Sequence, residues 1–173
     1  PPMISWGQKP PTYTRLVEAL LYKQRIMSRV HSFHHIVFAT ARRQPSLNAK
    51  NREALFRFIW SELKNRKCTL IRVNGMSDHI HMLIDLHPSV ALADLVRELK
   101  SKSSFWLKRC GMFPKFDSWN PEYFAESKGI AEIETVKNYI INQQEHHRAR
   151  NFLEEIRSLH ENAGLEWRSQ DYE

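Results

Sequence analysis

Two short runs of alternating apolar and polar residues, Cys68 to Asn74 and His79 to Leu86, flank the turn sequence Gly75-Met76-Ser77-Asp78. Period-two alternation marks a half-buried strand, and two such runs across a tight turn predict an antiparallel hairpin. In the first run Thr69, Ile71 and Val73 are expected on one face and Leu70, Arg72 and Asn74 on the other. In the second, Ile80, Met82, Ile84 and Leu86 read as a core face, which turns His79, His81, Leu83 and Asp85 the opposite way. Two imidazoles side by side at the start of a strand are either a half-buried pair near a turn or a pair able to hold one metal ion.

The remaining pattern supplies two more strands and four helices. Val30 to Thr40, with Phe33, Ile36, Val37 and Phe38, carries apolar groups on both faces and reads as a central strand that Arg42-Arg43-Gln44-Pro45 ends. Asn48 is the expected N-cap of a helix running to about Asn65, with Leu55, Phe56, Ile59 and Leu63 as its stripe. A second helix is expected from about Val90 to Arg109 on Leu92, Leu95, Val96, Leu99 and Trp106. Glu122 to Glu126 reads as a short strand and Lys128-Gly129 as a flexible joint. A third helix, about Ala131 to Arg148, turns Ile133, Val136 and Ile140 inward, and a fourth runs from about Asn151 to Asn162. The order strand, helix, strand, strand, helix, strand predicts an α+β, ferredoxin-like (split β-α-β) antiparallel sheet, with two helices on one face and added C-terminal helices. The other face, carrying His79 and His81, is expected to be open, as in domains of this topology that bind single-stranded nucleic acid.

The length suits a single domain: residues 1–26, rich in proline and carrying a candidate helix from Thr14 to Ile26, read as an N-terminal extension and 27–173 as the working domain with its C-terminal helical segment. A net charge of +7 and a pI near 9.6 favour a polyanionic partner, most simply nucleic acid. Arg42, Arg43, Lys100, Lys102 and Lys108 are the phosphate-contact candidates, each otherwise a solvated cation, with Phe116 and Trp119 as stacking surfaces. No apolar run approaches the roughly 20 residues of a membrane helix, so no membrane partner is expected. Residues 1–11 lack a secretory pattern, and Cys68 and Cys110 form neither a disulfide framework nor a Cys-x-x-Cys site, so the expected setting is cytoplasmic.

Tyr139 and Gln143 stand four apart on the third helix and so share a flank of its inward stripe, either as core edge and solvated amide or as a phenol and an amide offered together. With these residues beside the first motif, the chain resembles the single-tyrosine HUH transposases of small bacterial insertion sequences, relatives of the REP-associated tyrosine transposases. The resemblance rests on Met76-Ser77-Asp78-His79-Ile80-His81-Met82-Leu83 and on Val136-Lys137-Asn138-Tyr139-Ile140-Ile141-Asn142-Gln143, and extends from about Met27 to Asn162. It implies that His79, His81 and Gln143 bind a divalent metal, Mg²⁺ or Mn²⁺, and that Tyr139 is the nucleophile. It implies a DNA transposase that cuts and rejoins single-stranded DNA at hairpin-bearing element ends through a 5′-phosphotyrosine and a free 3′-hydroxyl. It also implies a homodimer, in which the tyrosine helix can pack against the partner's histidine pair about the Lys128-Gly129 joint.

The residue types suit that chemistry. Two imidazoles and an amide are neutral ligands, which leave the metal's charge to act on a phosphodiester. Energy kept in a phosphotyrosine ester makes a nucleotide cofactor unnecessary, and the chain has no Gly-x-x-x-x-Gly-Lys phosphate loop. Asp85 either orients a histidine or is solvated, and His146 and His147 either favour a helix end or touch phosphate. Two alternatives stand beside this reading: a domesticated HUH nuclease acting on chromosomal repeat hairpins, with the same chemistry but no mobility, and a non-catalytic single-strand nucleic-acid-binding module. The second lacks the aromatic pair that such modules place on a central strand.

Overall fold

The computed structural model describes residues 30–145 and 151–172. The expected N-terminal extension with its Thr14 to Ile26 helix, and His146 and His147, lie outside them. Among the described residues the strands are β1 (Phe33–Ala39), β2 (Thr69–Gly75), β3 (His79–Asp85) and β4 (Phe124–Lys128). The helices are α1 (Arg52–Asn65), α2 (Leu92–Arg109), α3 (Ile133–Ile141) and α4 (Phe152–Asn162), and none is long and apolar enough to cross a membrane. The strands form one antiparallel sheet in the order β2-β3-β1-β4. β3 thus lies between β1 and β2, the split β-α-β order expected from the pattern.

β1 is central because both of its faces are apolar. Ile36 and Phe38 pack with Ile80, Met82 and Ile84 of β3 against Leu55, Ile59 and Leu63 of α1 and Leu95, Val96 and Leu99 of α2. Those helix residues recur at the spacing that places them on one face. α1 starts at Arg52 rather than after Asn48, because Asn48 Oδ1 accepts the Asn51 N–H at 2.9 Å and forms a turn ahead of the helix. Asn48 and Asn51 each donate through Nδ2 to the Met112 carbonyl at 2.8 Å, tying the start of α1 to the loop after α2. Phe116 and Trp119, expected as stacking surfaces, belong instead to the core, 7% and 6% exposed. Trp119 Nε1 donates to the buried Ser103 hydroxyl of α2 at 2.9 Å, which satisfies both polar groups.

The β2-β3 hairpin forms as the alternation requires, with one change. A bulge between Leu70 and Arg72 leaves Ile71 as the extra residue. Leu70 and Val73 therefore share the face toward α1 and α2, while Ile71 turns to the other side, so Thr69, Ile71 and Val73 do not line one face. At the turn a Cβ on Gly75 would stand 2.4 Å from the His79 carbonyl oxygen, so only glycine fits there.

The larger departure concerns the second sheet face, which is covered. Val37 and Ala39 of β1 and Phe124 of β4 pack against Phe152 and Ile156 of α4, and Leu83 of β3 packs against Val136 and Ile140 of α3. A face that carries so many apolar groups must be hidden from water, and the stripes of the two C-terminal helices supply the cover. β4 lies two residues beyond the expected segment, and Gly129 after it has an ordinary φ of −76°. The Gly129 N–H donates to Glu132 Oε2 at 2.7 Å, starting the short turn that leads into α3.

Candidate active site

β3 presents His79 and His81 on the face covered by α3 and α4, and both are fully buried. His79 Nδ1 lies 2.8 Å from Asp78 Oδ1, and His81 Nδ1 lies 3.1 Å from Nε2 of His35 on the neighbouring β1. In both rings Nε2 points toward Glu155 of α4, at 3.9 Å from Oε2 for His79 and 3.6 Å from Oε1 for His81. Burial pushes the His79 imidazole down to about 4, against the partial opposition of its hydrogen bond to Asp78. Burial also holds His35 well below the ordinary imidazole value, and the neighbouring His81 and Lys128 add to the effect. Burial pushes the Asp78 carboxyl up, but hydrogen bonds and charge from His79 and Arg43 outweigh it and leave the group below its ordinary value.

Tyr139 and Gln143 reach the same point. The Tyr139 hydroxyl donates to Glu155 Oε1, and Gln143 Nε2 donates to the same oxygen at 3.0 Å. The Tyr139 ring stands edge-on to His81 and to His35 at 5.9 and 6.0 Å between centroids. The single helix expected from Ala131 to Arg148 is interrupted at Asn142, and helix resumes at 143–145. Asn74 of β2, the cross-strand partner of His81, causes the break. Its Nδ2 donates to the carbonyls of Ile140 and Ile141 at 2.8 and 3.1 Å, which ends α3 where it meets the sheet.

The donor set fits a divalent metal. Ligand atoms of His79, His81 and Glu155 all lie within 4.8 Å of one another. His81 Nε2 and Gln143 Oε1 are buried and lack a hydrogen-bond partner among the described residues, an expensive condition that a cation would relieve. Glu155 escaped the sequence reading, although its signal is there. It lies inside the stripe formed by Phe152, Ile156 and Leu159, and a carboxylate in an apolar stripe is buried only with partners.

The other expected residues lie elsewhere. Asp85 does not touch either site histidine; it binds the Ser32 N–H at 2.9 Å and His31 Nδ1 at 2.7 Å at the start of β1. Arg43 pairs with Asp78 at 3.0 Å and lies 4.9 Å over the Phe152 ring, beside the site. Arg42 is largely exposed and meets Asp117 at 3.5 Å. Lys100, Lys102 and Lys108 stand on α2, across the sheet from the histidines. Lys100 donates to the Pro121 carbonyl at 2.6 Å, Lys102 pairs with Glu62 at 2.6 Å, and Lys108 is exposed.

Comparison with known proteins gives a consistent answer. The chain is 25% identical over 116 residues to the IS200 insertion-element transposases of Salmonella typhimurium strain LT2 and of Salmonella typhi, covering 65% of this chain and 76% of each relative. It shares its fold with a putative transposase from Deinococcus radiodurans R1, at 21% identity and a TM-score of 0.54 over 68% of this chain and 94% of that one. It also shares it with a REP-associated tyrosine transposase bound to a REP hairpin, at 15% identity and a TM-score of 0.54 over 69% and 72% of the two chains. The family model described as "Transposase IS200 like" matches residues 29–143, a span that holds His79, His81, Tyr139 and Gln143 and stops before α4 and Glu155. The chain belongs to the IS200-like transposase family.

Proposed function

We propose that this transposase cuts and rejoins single-stranded DNA at hairpin-bearing ends, with Tyr139 as nucleophile and a divalent metal, Mg²⁺ or Mn²⁺, held by His79, His81 and Gln143. The observation that carries this reading is the convergence of Tyr139 and Gln143 with both histidines on one buried carboxylate, Glu155. Imidazole, amide and carboxylate donors suit such a cation, and Glu155 is placed to join the set. When bound, the metal supplies polarisation and orientation of the scissile phosphate.

The chain's own residues account for the rest. The phenolic oxygen of Tyr139 attacks phosphorus, an O–P bond forms, and the bond to the 3′-oxygen breaks. The 3′-oxygen leaves as a hydroxyl once protonated, and Tyr139 stays esterified to the 5′-phosphate. The Tyr139 hydroxyl donates to Glu155 Oε1, which places a carboxylate to receive the phenolic proton. Attack by a 3′-hydroxyl on the ester reverses the step, so rejoining needs no nucleotide cofactor. Tyr139 stands beside His81 of its own chain, which supports a site completed in cis, whether the protein is a monomer or a homodimer. Since α3 and α4 together cover both histidines, DNA entry requires one of these helices to shift.

Single-stranded oligonucleotides that span the ends of the protein's own gene, incubated with Mg²⁺ or Mn²⁺, should give a denaturant-resistant protein–DNA adduct. Tyr139→Phe should lose the adduct and keep hairpin binding. An adduct that survives in this variant would sink the assignment of the nucleophile.

A further inference from the structure

Asp78 stands between a cation and a candidate metal ligand. Its Oδ1 is 2.8 Å from His79 Nδ1 and its Oδ2 is 3.0 Å from Arg43 Nη2. An ionised carboxylate can only accept, so the hydrogen of this bond belongs to His79. A neutral imidazole protonated at Nδ1 carries its lone pair at Nε2, the atom that faces Glu155. This tautomer is the less populated one for histidine free in water, so the environment selects it.

The carboxylate is itself anchored. Arg43 holds a left-handed backbone, φ 51°, uncommon for a residue with a side chain, and its guanidinium lies 4.9 Å over the Phe152 ring. The Asp78 backbone is fixed from the end of β1, where Thr40 N donates to its carbonyl at 2.7 Å and Thr40 Oγ1 at 3.1 Å. Among the described residues no carboxylate stands at His81 Nδ1 as Asp78 does at His79. The neighbour of His81, His35, can donate or accept at the 3.1 Å contact, so that contact leaves the His81 tautomer open.

We propose that Asp78, held by Arg43, is a positioning residue that sets His79 in the Nδ1–H tautomer and aims its Nε2 lone pair at the metal. The proposal rests on the metal reading above, and uses Arg43 as a support of the site rather than as a phosphate contact. Residues that orient a metal-bound histidine in this way typically change metal affinity by about 10–100-fold when removed.

Two measurements on the full chain test it. In metal-free, ¹⁵N-labelled protein, long-range ¹H–¹⁵N correlation spectra should show His79 as the Nδ1–H tautomer, with the signal assigned by its loss in His79→Asn. An Nε2–H pattern overturns the proposal without any reference to DNA cleavage. Binding of Mn²⁺, followed by its paramagnetic resonance signal, should weaken about 10–100-fold in Asp78→Ala. It should recover in part in Asp78→Asn, which keeps an acceptor oxygen, and Arg43→Lys should bind more tightly than Arg43→Ala. Wild-type affinity in a folded Asp78→Ala overturns the positioning role. A wild-type chain that binds no Mn²⁺ overturns the metal reading and this proposal with it, whereas an Nε2–H tautomer in a chain that binds Mn²⁺ overturns only the role of Asp78.

Discussion

Metal-free protein should lose stability as the pH is lowered from about 7 to about 4, because His79 is buried in its neutral form. Its imidazole sits at about 4 in the folded chain against an ordinary value of 6.5. With the folded value depressed, the unfolded chain takes up the proton first. The contribution is fully present above the unfolded value and is lost as the pH falls toward the folded one. The difference of roughly 2.5 units corresponds to about 3 kcal/mol. His35, held well below its ordinary value by burial, works in the same direction. Asp78 is also depressed, but from an ordinary value of 3.8, so its loss falls below the window. The measurement is urea unfolding in the presence of a chelator at several pH values, comparing wild type with His79→Asn. Asparagine places its amide nitrogen near the position of Nδ1 and can still donate to Asp78, but it does not titrate. The stability of the wild type relative to the variant should fall by about 3 kcal/mol across the window, a shift of roughly 1–2 M in the urea midpoint difference. A difference that stays flat would show that His79 is not held neutral by burial.

Three further perturbations probe the elements around the site. Asn74→Ala removes the donors to the Ile140 and Ile141 carbonyls and should cost about 1–3 kcal/mol, with faster amide exchange confined to α3 and the residues after it while β1 keeps its protection. Gly75→Ala would drive a Cβ to 2.4 Å from the His79 carbonyl oxygen and 2.9 Å from Ile80 Cα, both backbone atoms, and should cost about 2–3 kcal/mol in chemical denaturation. Gly129→Ala, with an ordinary φ and its nearest contact a side-chain oxygen at 3.4 Å, should be neutral or slightly stabilising by the same measurement.

The sheet and its helices were legible from periodicity because burial imposes it. The stripe Leu55, Ile59, Leu63 and the face Ile80, Met82, Ile84 are contiguous apolar surfaces only in a helix and a strand respectively, and the structure buries them against one another. The α4 start was equally legible: Asn151 accepts the Glu154 N–H at 3.0 Å and Glu154 Oε2 accepts the Asn151 N–H at 3.3 Å, a local reciprocal cap. The bulge at Ile71 and the break at Asn142 were not, because each depends on a group from another element. A phase slip in β2 follows from how it pairs with β3, and the end of α3 follows from Asn74 two strands away in sequence.

For the site the division is similar. Residue type and short spacing picked out His79 with His81, and Tyr139 with Gln143, as two candidate pairs, but only the resemblance to a transposase family gave them roles in one site. That both pairs meet at Glu155, and that α3 and α4 close the histidine face rather than leaving it open, were decided by tertiary packing alone. The physical reason is that pattern along a chain reports which side of an element is apolar, and does not report which other element will cover it. The carboxylate that organises this site comes from a helix whose stripe looked like ordinary core, and only its neighbours make it more than that.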